Sequence, residues 1–317
     1  RVPEQTVRIL LTNIGWKPAQ GLGGPIVSVA ALAERMAGRG HEVTVFTTDA
    51  GIEPTSGIPR DRPVDVDGVR VWYFSRKEPL QALLPFVPYL SDSMGFAYAP
   101  ALGRELAREL PTFDCVNTQS PFIYPALAAG RGAIRHGVPL FCHQRGNLLP
   151  THLGRRALKK SAYMWAFERR ILARATTLVA LNDAEHVAFR RWAPKVPCRI
   201  VPNGIELSDL RLAAEAAVAC RAEFGIGVDA QVVLFLGRIH PWKRVDVLID
   251  AFSRIAGSHP KAILLVAGDM DVEQRAQFAR QLGASGLEWE GHLRREGFRD
   301  QETRDPRHVR PLCCLEW

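Results

Sequence analysis

Val7-Arg8-Ile9-Leu10-Leu11-Thr12, then Gly21-Leu22-Gly23-Gly24-Pro25 and an Ala- and Leu-rich run to about Arg39, is the stretch that decides the fold. The opening run is apolar and of strand length. The glycines make a turn, and Pro25 opens a helix where its missing N–H costs nothing. Glu42-Val43-Thr44-Val45-Phe46-Thr47 is the next strand. Two strands separated by one helix must run parallel, because a crossover of that length returns the chain to the same edge of the sheet. The alternation continues with strands near 69–74, 115–119, 139–143 and 177–181 and helices near 101–110, 125–136 and 155–173. A parallel sheet covered on both faces is expected. Asn182-Asp183-Ala184-Glu185 has the spacing of a capping box that opens a further helix, ending near Trp192.

Pro and Gly punctuate 194–204, and the alternation restarts at Gln231-Val232-Val233-Leu234-Phe235-Leu236-Gly237. A helix over 243–256, a strand over 262–267, a helix over 272–282 and a short strand over 287–290 come next. The expected organisation is an N-terminal domain over 1–200, a partial second domain over 201–293 and an irregular tail over 294–317. That tail carries Arg294, Arg295, Arg299, Arg304, Arg307 and Arg310 without any helical or strand period, and reads as a disordered terminus or as spliced or out-of-frame sequence.

At 317 residues the chain is long enough for two cores. With 47% hydrophobic and 23% charged residues, wholesale disorder and collagen-like structure are excluded. The apolar segment Leu80-Gln81-Ala82-Leu83-Leu84-Pro85-Phe86-Val87-Pro88-Tyr89-Leu90 is cut by two prolines and is too short to span a bilayer. The net charge of +8 favours anionic partners. Of 41 basic residues, 34 are Arg, yet no long basic run of the nucleic-acid-binding kind occurs, so no nucleic-acid partner is expected. Six cysteines without a C-x-x-C pair read as reduced thiols. The start, Arg1-Val2-Pro3-Glu4, has neither a Met nor a leader, which reads as a fragment or processed chain working in the cytoplasm.

Gly23 and Gly24 let the backbone approach a phosphate or sugar, although a purely structural turn accounts for them equally well. More specific is Gly237-Arg238-Ile239-His240-Pro241-Trp242-Lys243-Arg244, at the end of a strand and running into a helix. Ligands of open α/β sheets bind at that edge. Arg238 offers a forked pair of donors, Lys243 a point charge and the helix N-terminus a partial positive charge, a set suited to a diphosphate.

Gly23-Gly24, Arg39-Gly40-His41-Glu42-Val43-Thr44-Val45, Val201-Pro202-Asn203-Gly204-Ile205 and Gly237-Arg238-Ile239, with Lys243-Arg244, Leu248-Ile249 and Ala251-Phe252, closely resemble the family 4 retaining glycosyltransferases of GT-B architecture, over about residues 7–293. The resemblance implies two Rossmann-like domains, the second incomplete here. One would hold the acceptor and the other a nucleotide-diphosphate sugar as donor substrate, with no metal and no other cofactor. It makes Arg238 and Lys243 the catalytic pair gripping the donor diphosphate, and it places Gly23, Gly24, Asn203 and Gly204 with them as donor-binding residues. In Cys142-His143-Gln144-Arg145-Gly146-Asn147-Leu148, Arg145 occupies the position of the family's sugar-facing His, and a two-residue register change would put His143 there instead; Gly146 completes that site. The family's later Pro-Ser loop and its two Glu residues have no counterpart here, since Glu34/Glu42, Glu215/Glu223 and Glu288/Glu296 share only the spacing.

The implied reaction is transfer of a hexose with retention to a glycan or polyisoprenyl-linked saccharide in bacterial polysaccharide biosynthesis. A non-catalytic binding fragment, and an epimerase or phosphorylase on the same architecture, are the alternatives. Arg155, Arg156, Lys159 and Lys160 fall on one side of a helix that also carries Leu158, Trp165 and Phe167. They read as a solvated basic face or as a contact with a lipid-linked acceptor or the inner face of the plasma membrane.

Overall fold

Leu10 and Leu11 are neighbours in the chain and both fully buried, but they belong to different hydrophobic clusters, one on each side of a sheet. Successive side chains of a strand point to opposite faces, so only a strand covered on both sides buries the two together. The computed structural model describes residues 5–77, 96–153, 157–205, 214–223, 225–237, 239–268 and 280. It divides after Ile205 into two compact units, a little past the boundary expected at 200.

The first unit is built on β1 (Arg8–Thr12), β2 (Glu42–Thr48), β3 (Pro63–Val66), β4 (Val69–Phe74), β5 (Cys115–Gln119), β6 (Leu140–His143), β7 (Thr177–Ala180) and β8 (Cys198–Ile200). Their spatial order is β3-β4-β2-β1-β5-β6-β7-β8. Every pair is parallel except β3 with β4, which corrects the expectation of a purely parallel sheet. The antiparallel edge comes from Asp67-Gly68, whose φ values of 55° and 77° make the two-residue turn that joins hairpin strands.

The covering helices are α1 (Gly24–Ala37), α2 (Pro100–Glu109), α3 (Tyr124–His136), the single turn α4 (Pro150–Leu153), α5 (Ala157–Tyr163) and α6 (Asp183–Trp192). From α5 the chain continues through a widened turn, Met164–Glu168, into a last turn at Arg169–Leu172. The expected single helix over 155–173 is thus interrupted by one π-type turn, a feature that admits an extra residue and re-aims the final turn of the segment.

In the second unit, β9 (Gln231–Leu236) and β10 (Ala262–Ala267) pair in parallel, with α7 (Ala214–Glu223) and α8 (Val245–Ala256). Val245 and Ile249 of α8 join Ile239 and Val266 in a small core on one face. On the other face Leu234 and Leu236 are 56% and 65% exposed. The elements expected at 272–282 and 287–290 and the tail at 294–317 lie outside the described residues.

Candidate functional site

Between β1 and β5 the strand order reverses: the chain leaves β1 toward β2 on one side and returns to β5 on the other. In an open parallel sheet this reversal leaves a crevice at the carboxyl ends of the strands, since successive crossovers part there. The loops after β1, β5, β6, β7 and β8 all emerge at that edge.

After β1 the backbone runs to Gly23, which caps α1 at φ 115° and ψ −178°, a conformation open essentially to Gly alone. Among the described residues no side chain caps α1, and a Cβ placed on Gly24 meets nothing within 4 Å. The helix therefore turns uncapped N–H groups and its partial positive charge toward open space. Beside this loop the buried Thr12 hydroxyl and the Asn13 side-chain nitrogen Nδ2 have no hydrogen-bond partner among the described residues, while Asn13 Oδ1 accepts from Ile14 N.

Arg145 ties three of the loops together. It follows β6 in a left-handed conformation, φ 49°, with Gly146 at 80°. Its Nε donates to Gln119 Oε1 at the end of β5, 2.8 Å, and its guanidinium also donates to Asn203 Oδ1 beyond β8. Burial lowers the Arg145 pKa, while the Glu185 carboxylate opposes that shift. His143, the last residue of β6, is buried and held down to about pKa 3, first by burial and then by the Arg145 charge. It is a neutral imidazole at physiological pH, with Nδ1 unpartnered among the described residues. Asn203 and Gly204 are exposed.

What fixes this turn is Glu185, which sequence reasoning read only as a cap. Asn182 Oδ1 does accept from Glu185 N, 3.0 Å, as in a capping box. The reciprocal half is different. Instead of reaching Asn182, the Glu185 carboxylate accepts from Leu181 N at 2.8 Å and, across the edge of the sheet, from Gly146 N at 2.6 Å. Gln144 completes the clamp, donating to Glu185 O and accepting from Leu148 N.

A second buried carboxylate, Glu168, holds the loop after β5. Its Oε1 accepts from Phe122 N at 3.2 Å, and burial pushes its pKa up to about 7 against the opposing pull of that N–H, Arg131 and Tyr163. Ser120 and Phe122 sit at φ 67° and 71°, a costly conformation for residues with a Cβ, so this loop needs the tether. Lys160 Nζ lies 5.5 Å from the centre of the Phe122 ring.

Other expected residues are scattered. Lys243 is exposed in a short turn, Pro241–Lys243, directly before α8, and Arg244 caps that helix from a left-handed conformation while bonding Asp246. Arg238 lies outside the described residues, as do Arg155, Arg156 and the segment 80–90. Lys159 is exposed, whereas Lys160 turns toward Phe122, so these two lysines do not share one solvated face. A cavity of about 400 Å³, lined by Pro139, Leu140, Arg174 and Thr176 among others, opens where β6 begins. It is at the wrong edge for ligands of a parallel sheet, and none of the loops described above reaches it. Among the described residues no group of three or more His, Cys, Asp or Glu side chains is arranged to hold a metal. No helix among them is long and apolar enough to cross a membrane.

Residues 23–204 match the glycosyl transferase 4-like domain, and residues 219–293 match the glycosyl transferases group 1 domain. The chain is 29% identical over 242 residues to a D-inositol 3-phosphate glycosyltransferase of Kineococcus radiotolerans, covering 75% of this chain and 53% of the relative. It is 27% identical over 280 residues to the Nocardioides enzyme of the same name, covering 83% and 58%. The chain thus spans about half the length of the curated relatives it matches. Among solved structures, HepE of Anabaena in complex with UDP and glucose superimposes with a TM-score of 0.60 at 17% identity, covering 89% of this chain and 67% of that one. Sucrose-phosphate synthase of Thermosynechococcus elongatus gives 0.60 at 19%, covering 88% and 68%. Those two likenesses establish the GT-B type of fold. With the 4-like domain alone matching more than half of its length, the chain belongs to the family 4 glycosyltransferases.

Proposed function

We propose that the protein transfers a hexose from a nucleotide-diphosphate sugar, with retention at the anomeric carbon, to an anionic polyol or saccharide acceptor. The observation that carries this reading is the Arg145 turn: a guanidinium at the switch-point edge, held by Gln119 and Asn203 and backed by Glu185. A fixed cation at the same sheet edge as the Gly23-Gly24 loop suits an acceptor that bears phosphate, whether the D-inositol 3-phosphate in the relatives' names or a polyisoprenyl-linked saccharide. Neutral His143 and the Gly146 backbone would face the sugar without adding charge.

In this reading Arg238 and Lys243 neutralise the donor diphosphate, in place of a metal ion, as its bond to the anomeric carbon breaks. The acceptor oxygen bonds to that carbon on the same face, and its proton passes to the leaving phosphate. Gly23 and Gly24 of the first unit offer backbone N–H groups suited to a phosphate, and Asn203 and Gly204 are assigned to donor binding with them. No carboxylate pair of the glycosidase kind is then required. The test is transfer from a radiolabelled nucleotide sugar by the intact parent protein, with the product anomer read by NMR. Lys243→Ala should cut turnover about a hundredfold, the scale of losing one donor to developing negative charge. An unchanged rate, or an inverted product, contradicts the proposal.

A further inference from the structure

We infer that the outward face of the α5 segment is a docking surface for an anionic lipid bilayer. From 157 to 172 the segment buries Tyr163, Met164, Glu168, Ile171 and Leu172 against the first unit. Its opposite side presents Leu158, 88% exposed, and Trp165, 69% exposed, spaced seven apart so that both lie on one face. Phe167, 40% exposed, points the other way, against the Tyr163 ring and under the Arg131 guanidinium, so the exposed face is carried by Leu158 and Trp165. Leaving a Trp and a Leu in water forgoes the favourable burial that either would gain in a core or at an interface, and such exposed apolar groups in one place mark a surface that something covers.

Charge decides what covers it. Lys159, Arg169 and Arg170 are exposed beside the apolar pair. The single acidic residue of the segment, Glu168, is buried. An apolar stripe that includes Trp, flanked only by cations, is the composition of a helix lying in the headgroup layer of an anionic membrane. The indole sits at the boundary there, and Lys and Arg extend toward phosphates. This refines the basic face expected from the sequence: Lys160 belongs to the Phe122 loop, and Arg169 and Arg170 stand with Lys159. The inference does not depend on the transfer chemistry.

The test is co-sedimentation of the full chain with phosphatidylcholine vesicles, with and without phosphatidylglycerol. The wild type should sediment only with the anionic vesicles and progressively less as salt rises. Trp165→Ala with Leu158→Ser should weaken binding about tenfold or more. The triple reversal Lys159→Glu, Arg169→Glu, Arg170→Glu should abolish it, each cation being worth about fivefold near such a surface. All these positions are exposed, and circular dichroism checks that the variants remain folded. Failure of the wild type to bind, binding that the variants leave undiminished, or a wild-type dimer that Trp165→Ala dissociates without lipid would each overturn the inference.

Discussion

Two strand-end turns of the first unit are each tethered by a buried glutamate, and the tethers are unequal. Glu185, 2% exposed, accepts from two backbone N–H groups at 2.6 and 2.8 Å and stands in the first turn of α6, where the helix dipole favours negative charge. Glu168, 3% exposed, accepts from one N–H at 3.2 Å and stands in the widened turn following α5, with no helix end to support it. The first arrangement is a stable clamp on the Gly146 turn and so on Arg145. The second is a strap on the Phe122 loop whose charge is in balance near neutral pH, because burial outweighs the groups that favour ionisation. A buried carboxylate thus stabilises a loop only when enough donors replace the water that it gave up.

Removing the stronger tether should have the larger effect. Glu185→Ala leaves the N–H groups of Gly146 and Leu181 without acceptors and should destabilise the first unit by about 2 to 4 kcal/mol, read from urea unfolding. Amide exchange should quicken at Gly146 and Leu181 before the rest of the sheet. A loss below about 0.5 kcal/mol would show the clamp to be ornamental.

Glu168→Gln sharpens the contrast through pH. The folded pKa of Glu168, about 7, lies above its unfolded value, so its contribution is fully present below the unfolded pKa and is lost as pH rises through about 7. Gln keeps an acceptor for Phe122 N and never ionises. The variant should therefore match the wild type near pH 4.5, the ordinary value for this carboxyl, and exceed it above pH 7, by roughly 1 kcal/mol or more. His143 runs the other way. Its folded pKa, about 3, lies below the unfolded value of 6.5, so in both proteins its contribution is lost as pH falls from 6.5 toward 3. A stability difference between Glu168→Gln and wild type that does not grow with pH contradicts the strap.

Much of this architecture was legible in the sequence, because apolar runs and helix openers are local signals: β1, β2, β4, β5 and β10 begin and end within a residue or so of where their composition puts them. The edge strand β3 was missed, although Val64-Asp65-Val66-Asp67-Gly68 carries its signal, alternation followed by Asp-Gly. The tethers were not legible. Glu185 and Gly146 are 39 positions apart and Glu168 and Phe122 are 46 apart, so only the parallel topology brings each pair together. The capping-box spacing even pointed the Glu185 carboxylate at the wrong N–H, since the local rule ignores a neighbouring strand end that supplies another donor.

The central claim is that the Arg145 turn, at the carboxyl edge of the sheet, is where the first unit receives its ligand. Its most direct test is a two-dimensional amide NMR titration of the full chain with D-inositol 3-phosphate. The signals of Gly24, Gln119, Arg145, Gly146 and Asn203 should shift together and saturably, and Arg145→Lys, which cannot reach Gln119 and Asn203 with one planar fork, should weaken the response about tenfold or more. Saturable shifts confined instead to the opposite edge, around Pro139, Leu140 and Thr176, would contradict it.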